Sequence, residues 1–262
     1  MKTLLSVIIL LVAFQLSAQE NLKVSTSKMA INSAMQPAFV VEIPQAESTN
    51  AIKMWENRLV PKNLFDTFKR LPKMEKEGKD KWYIHGVVVS EICPDTLSIY
   101  TRITSLKNGI VFAALFETPS GFIGTGKGES ELEQRASAYL RIHAVEVYKE
   151  AVENELDEQE KQLKKMEKEY AGYDKDNRKL DRKSSDSQSN LNILNGPQDL
   201  SSESSGLLSD EKGKEIKKEE KAVKKYSKKI DKNEDRQKKL AKEIDKKESE
   251  IKAVKQKLKN IK

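Results

Sequence analysis

With a single cysteine, Cys93, in 262 residues, the chain cannot close an internal disulfide. Its two histidines, His85 and His143, have no second histidine or cysteine nearby in sequence to complete a metal-ligand set. The patterns G-x-S-x-G, C-x-x-C and H-E-x-x-H are absent. Those absences remove the usual signatures of acyl transfer, thiol redox chemistry and zinc-dependent hydrolysis. Apolar residues make up 37% of the chain, low for a wholly globular protein of this length. No catalytic residue, cofactor-binding residue, cofactor or metal ligand is therefore nominated, and the chain reads as non-enzymatic.

The N-terminus carries the clearest signal. Lys2 forms a short positive region, Leu4 to Phe14 is a near-continuous apolar run, and Ser17, Ala18 and Gln19 close the segment. This is the layout of a cleavable secretory signal, with cleavage expected after Ala18. The apolar run is shorter than the roughly 20 residues a membrane-spanning helix needs. No cysteine stands at the junction, so a lipoprotein is not expected. The expected destination is the periplasm or the extracellular space. Cys93, in Glu91-Ile92-Cys93-Pro94-Asp95, reads as a small, part-buried residue near a strand end.

Beyond the signal, residues 19–36 are polar and are expected to be a tether. Residues 37–150 hold most of the aromatic and β-branched residues, enough for one α+β head. Pro37 to Pro44 reads as a short strand. Ile52, Trp55 and Leu59 share one face of a helix that Ser48 or Thr49 can cap. Phe65, Phe68 and Leu71 can form a short helical turn. Trp82 to Ile92, Leu97 to Leu106 and Ile110 to Glu117 read as strands, and the short turns between them predict an antiparallel meander. Leu97, Ile99, Thr101 and Ile103 alternate onto one face. A helix beginning near Ser130 has a capping-box start and carries Leu132, Ala136, Leu140, Ala144, Val147 and Ala151. His143 is expected on its solvated side. The head is thus β-α-β-β-β-α, one mostly antiparallel sheet with helices on one face.

Gly121 to Gly128 matches the G-x-x-x-x-G-K part of a phosphate-binding loop, ending on Gly126 and Lys127. Gly128 stands where a magnesium-binding Ser or Thr belongs, and the preceding strand belongs to a meander. Glycines supplying positive φ in a turn account for the segment more simply.

Residues 151–183 and 211–262 carry heptads. In the first arm Leu156, Leu163, Met166, Tyr170, Tyr173 and Leu180 hold the seam, with Gln159 and Asn177 as polar exceptions. In the second, ten of fourteen seam positions are apolar, the exceptions being Glu219, Asn233, Gln237 and Lys247. A 3.5-residue repeat sustained this long predicts a coiled coil. Residues 184–210 are rich in Ser and Asn and contain Pro197, so a loop is expected there. The helix from near 130 to near 183 and the arm at 211–262 are of similar length around one breaker, which predicts an antiparallel hairpin in which position i meets 396 minus i. On that register Ile251, Val254, Leu258 and Ile261 return to cover Leu140, Ala144 and Val147.

Charge is uneven. The chain nets +7, and residues 211–262 carry twenty-one Lys/Arg against eleven Asp/Glu. Such an arm attracts an anionic envelope polymer or lipid surface, beside the protein partner expected for an interaction module. Tyr226 is the only aromatic residue in that arm, so specific nucleic-acid binding is not expected.

The Leu-Ser-Ala-Gln junction, the Pro37–Pro44 strand, Trp55 and the Phe122-Ile123-Gly124 segment resemble uncharacterised exported proteins of Bacteroidetes-type bacteria with a small β-rich head and a Lys/Glu coiled coil. The layout is also loosely similar to periplasmic holdase chaperones of the Skp type, which implies client binding. An exported interaction or scaffolding protein is the first expectation. A holdase-type chaperone is the second, and a hydrolase or nucleotide-binding enzyme with its site in the head is the third.

Overall fold

The computed structural model describes residues 22–31, 34–60, 72–124, 130–196 and 205–261. The expected signal at 1–18, the turn around Phe65, Phe68 and Leu71, Gly126 to Gly128, and Pro197 lie outside the described residues. The chain is α+β, an antiparallel sheet followed by a helical hairpin. Among the described residues no helix is long and apolar enough to cross a membrane. The chain divides into two compact units. One runs to Leu156 and takes in Val254–Lys262; the other is Asp157–Ala253.

The elements in order are β1 (Ser25–Ile31), β2 (Ala34–Pro44), α1 (Ser48–Leu59), β3 (Glu75–Glu77), β4 (Lys81–Val88), β5 (Thr96–Leu106), β6 (Gly109–Thr118), β7 (Gly121–Phe122), α2 (Glu131–Asn195) and α3 (Ser205–Asn260). The sheet order is β1-β2-β6-β5-β4-β3, with the short β7 also pairing to β6. All pairs are antiparallel, and β4-β5-β6 form the expected meander.

The expected tether is not a tether throughout. Residues 25–31 form an edge strand in register with β2, Ser25 opposite Val40 and Ile31 opposite Ala34. An edge strand with one face toward water needs few apolar residues, and of β1 only Met29 is buried. The strand expected from Trp82 to Ile92 stops at Val88, and backbone bonds from Ile92 and Cys93 to the Val89 carbonyl turn the chain. Cys93 is buried there. In α1 the cap position falls to Glu47, which makes no side-chain hydrogen bond, rather than to Ser48 or Thr49.

The head's core lies on one face of the sheet. Leu97, Ile99, Thr101 and Ile103 of β5 and Ile110, Phe112, Ala114 and Phe116 of β6 are buried. Trp55 of α1 sits at its centre with no exposed surface. Its ring packs edge-on against Phe112 at 5.3 Å and Tyr139 of α2 at 5.6 Å. Its Nε1 donates to Thr101 Oγ1 at 3.0 Å, so the one buried polar residue of β5 has a partner. The start of α2 is the expected capping box. The Glu133 amide donates to Ser130 Oγ at 3.2 Å and the Ser130 amide donates to the Glu133 carboxylate at 3.3 Å.

The hairpin corrects the expected lengths and register. Helix α2 continues to Asn195, through the first twelve residues of the segment expected as a loop at 184–210. The heptad explains the extension. Ser184, Ser187 and Leu191 keep the 3-then-4 spacing, and Ser187 and Leu191 are buried. Serine is small enough to occupy a seam without breaking the helix. Asn233 Nδ2 donates to Asn177 Oδ1 at 2.9 Å. The expected register would have set Asn177 opposite Glu219. The true partner lies fourteen residues farther on, two full heptads, so the seam positions still face one another. The extra length of α2 moves the midpoint of the pairing by half that amount, seven residues.

The C-terminus does return to the head. Val254 belongs to the same buried cluster as Trp55 and Tyr148, and Leu258 and Ile261 pack against it. Lys257 Nζ sits 5.4 Å over the Tyr148 ring, donates to Gln45 Oε1 and pairs with Glu155 at 3.3 Å.

Trp55→Ala should lower the stability of the protein by about 3–5 kcal/mol through the cavity it leaves. Thr101→Val, which strands the indole N–H, should cost about 1–3 kcal/mol. Urea unfolding measures both; a loss under about 1 kcal/mol for Trp55→Ala would show that the residue does not organise the core.

Candidate functional site

The residues singled out in the sequence do not converge. His85, on β4, lies on the sheet face away from the helices. Its Nδ1 is 2.9 Å from Ser98 Oγ, and its ring stands 5.3 Å from Tyr83 and 5.8 Å from Tyr100. It is one member of an aromatic row that Phe122 extends, 6.3 Å from Tyr100. Among the described residues no three His, Cys, Asp or Glu side chains are placed to hold a metal ion.

His143 is not on the solvated side of α2. It is fully buried, its ring 4.7 Å from Trp55 and 4.9 Å from Phe112, and neither ring nitrogen has a hydrogen-bond partner. The spacing explains it. Ala136, Leu140, His143 and Val147 follow a 4-3-4 interval, so the histidine belongs to the apolar stripe. Burial, and then the charge of Arg58, push its imidazole down to about 3. Arg58 itself lies 4.6 Å over the Tyr139 ring and makes two bonds to the Glu146 carboxylate, at 2.8 and 2.9 Å. Burial pushes the Tyr139 hydroxyl up to about 12.

The glycine segment is described to Gly124. Gly121 and Gly124 have φ of 120° and 103°, backbone that side chains resist, and a Cβ on Gly124 would stand 3.1 Å from the Pro37 ring. The helix that follows offers a poor phosphate cradle. Its first turn holds Glu131 and Glu133, and Ser130 already accepts from the Glu133 amide. A phosphate there would meet two carboxylates where it needs free N–H groups. Beside it, a cleft of about 740 Å³ runs between the start of β1 and the first turns of α2, with Lys23, Glu133, Ser137 and Arg141 on its walls.

The most coherent electrostatic feature lies on the hairpin. One cleft of about 370 Å³ is walled by Lys221, Lys224, Lys225, Lys228, Lys229 and Lys232 of α3. A second, of about 490 Å³, takes Lys179 and Lys183 from α2 and Arg236 from α3 and shares Lys229 and Lys232 with the first. Together they gather nine cations and one carboxylate, Asp176, which is 3.5 Å from Lys179. The helices place them there. With the seam at 223, 226, 230 and 233, lysines at 221, 225, 228 and 232 fall together on the face of α3 turned away from the seam. The net charge of the arm was visible in the sequence; the contribution of α2 was not, because it depends on the register.

No protein-family model matches the chain, and a search of curated proteins finds no match either.

The buried imidazole sets a pH dependence. Above pH of about 6.5 it is neutral in both folded and unfolded chains and adds no slope. Below that, down to about 3, the unfolded chain takes up a proton that the folded head refuses, so stability falls as pH falls, by up to about 1.4 kcal/mol per unit. Wild type should lose stability between pH 7 and 5, before most carboxylates titrate, and His143→Leu should lose markedly less in urea titrations. Equal losses would show that His143 takes up its proton in the folded state.

Proposed function

We propose that the chain is an exported, non-enzymatic interaction or scaffolding protein of the cell envelope, a small head built together with a coiled-coil hairpin. The observation that carries this reading is the return of α3 into the head. Val254 lies in the head's core, and Lys257 ties α3 to Gln45 and Glu155 while covering Tyr148. A hairpin whose last turns complete the core of the head is an integral part of the fold, not an appended tail. Its seam points the same way. Asn177 Nδ2 donates to Gln237 Oε1 at 3.3 Å and Gln237 Nε2 donates to the Tyr170 carbonyl at 3.4 Å, so polar seam residues satisfy one another within one chain. Half-buried seam amides of this kind fix register at some cost in stability. Such investment in one defined pairing suits a spacer or a platform for a protein partner.

Export is part of the proposal and rests on the N-terminal segment alone. Lys2, the Leu4 to Phe14 run and the Ser17-Ala18 junction support it.

Light scattering coupled to size-exclusion chromatography, on the chain beginning at Gln19, should give the mass of one chain. In a parallel assay the same protein should leave the heat-induced aggregation of a model client unchanged. A trimer or larger assembly that suppresses aggregation would overturn the scaffolding reading in favour of a holdase.

A further inference from the structure

We propose that the paired basic clefts of the hairpin form a binding site for a linear polyanion, a polymer of closely spaced phosphate or sulfate groups recognised through charge alone. This goes beyond the scaffolding reading, which does not depend on it.

The first ground is unrelieved repulsion. Elsewhere on the two helices some cations are paired within a turn: Lys161 with Glu158, Arg178 with Asp174, and both Lys246 and Lys247 with Glu250. Among the described residues none of the six lysines of the α3 cleft has an ion-pair partner. They face one another instead. Lys221 and Lys225, Lys225 and Lys229, and Lys228 and Lys232 are each one turn apart, the spacing at which like charges oppose helix formation. A merely solubilising surface would intersperse the two signs. A bound anion relieves this repulsion.

The second ground is shape. The two clefts share Lys229 and Lys232 and so form one continuous track, with walls from both helices at the Arg236 end. From Lys221 to Lys232 the lysines extend roughly 16 Å along α3. An elongated, open track fits a chain better than a single small anion.

The chemistry of the walls narrows the occupant. A membrane surface needs apolar side chains to insert beside the cations. The exposed large apolar residues among the described part of the hairpin are Tyr170 and Ile193, and neither lines the clefts. Nucleic-acid bases need aromatic faces on which to stack. No aromatic residue lines either cleft. What is left is a strand of charges, met by lysine ammonium groups acting as point charges and by one guanidinium.

The test is a titration of the full-length protein with end-labelled inorganic polyphosphate, followed by fluorescence anisotropy at several salt concentrations. Neutralising about six phosphates predicts a log–log salt slope near −4. A Lys221→Gln, Lys225→Gln, Lys228→Gln, Lys232→Gln variant should bind at least tenfold more weakly. Lys238→Gln, Lys239→Gln, Lys242→Gln, Lys252→Gln removes the same charge outside the clefts and should change affinity less than twofold. All eight side chains are exposed, so folding should be retained, which circular dichroism checks. Equal losses from the two variants would overturn the site, as would undetectable binding by wild type. Tighter binding to a mixed-sequence oligonucleotide of equal charge, or to vesicles of anionic phospholipid at equal phosphate, would overturn the assignment of the occupant.

Discussion

One helix has to bury two different stripes, and the architecture follows from how it does so. In its first turns α2 presents Ala136, Leu140, His143 and Val147 to the sheet and to Trp55. From Leu156 onward its seam residues have α3 as their partner. Most of the stability of a helix in a protein comes from packing an apolar face rather than from propensity, and α2 runs for 65 residues. It persists because each stretch finds an apolar surface in turn, the sheet first and a second helix afterward. Trp55 is the fixed point of the first arrangement, touching β5, β6 and α2 at once.

The second arrangement is decided by polar residues. Leucine, isoleucine and valine in a heptad seam tolerate slippage by whole heptads, since every such register buries apolar surface. Asn177, Asn233 and Gln237 do not, because an amide buried without a partner costs more than a poor apolar contact. Their mutual bonds select one register from several that the heptad allows. The same selection brings Lys179 and Lys183 beside Lys229 and Arg236, so the basic track is a consequence of the amide pairing.

Much of this was legible in the sequence where periodicity is strict. The alternation of Leu97 to Ile103, the Trp55 stripe and the Ser130 capping box reappear as read, and the heptad arms reappear as the two helices of a hairpin, with Tyr170 of the expected seam exposed. What escaped was contextual. The edge strand β1 carries little apolar signal because only one of its faces meets protein. Ser184 and Ser187 read as breakers because composition was weighed above spacing. His143 was assigned to water because the stripe was drawn through Leu140, Ala144 and Val147, although its 4-3-4 interval with Ala136, Leu140 and Val147 placed it in the core. The register failed by two whole heptads, the error that a repeating pattern cannot correct from within. The clefts inherit that limit, since which lysines of α2 meet those of α3 is a property of the register.

The account turns on the amide-defined register of the hairpin, and disulfide trapping tests it directly. In a Cys93→Ala background that keeps the three amides, Leu180→Cys with Ile230→Cys, one seam step from the Asn177–Asn233 pair, should oxidise rapidly to an intramolecular disulfide, seen as a monomer of increased mobility on a non-reducing gel. Leu180→Cys with Ile216→Cys should not. Trapping of the second pair, or disulfide-linked dimers from the first, would contradict the intramolecular pairing on which the seam and the basic track both rest.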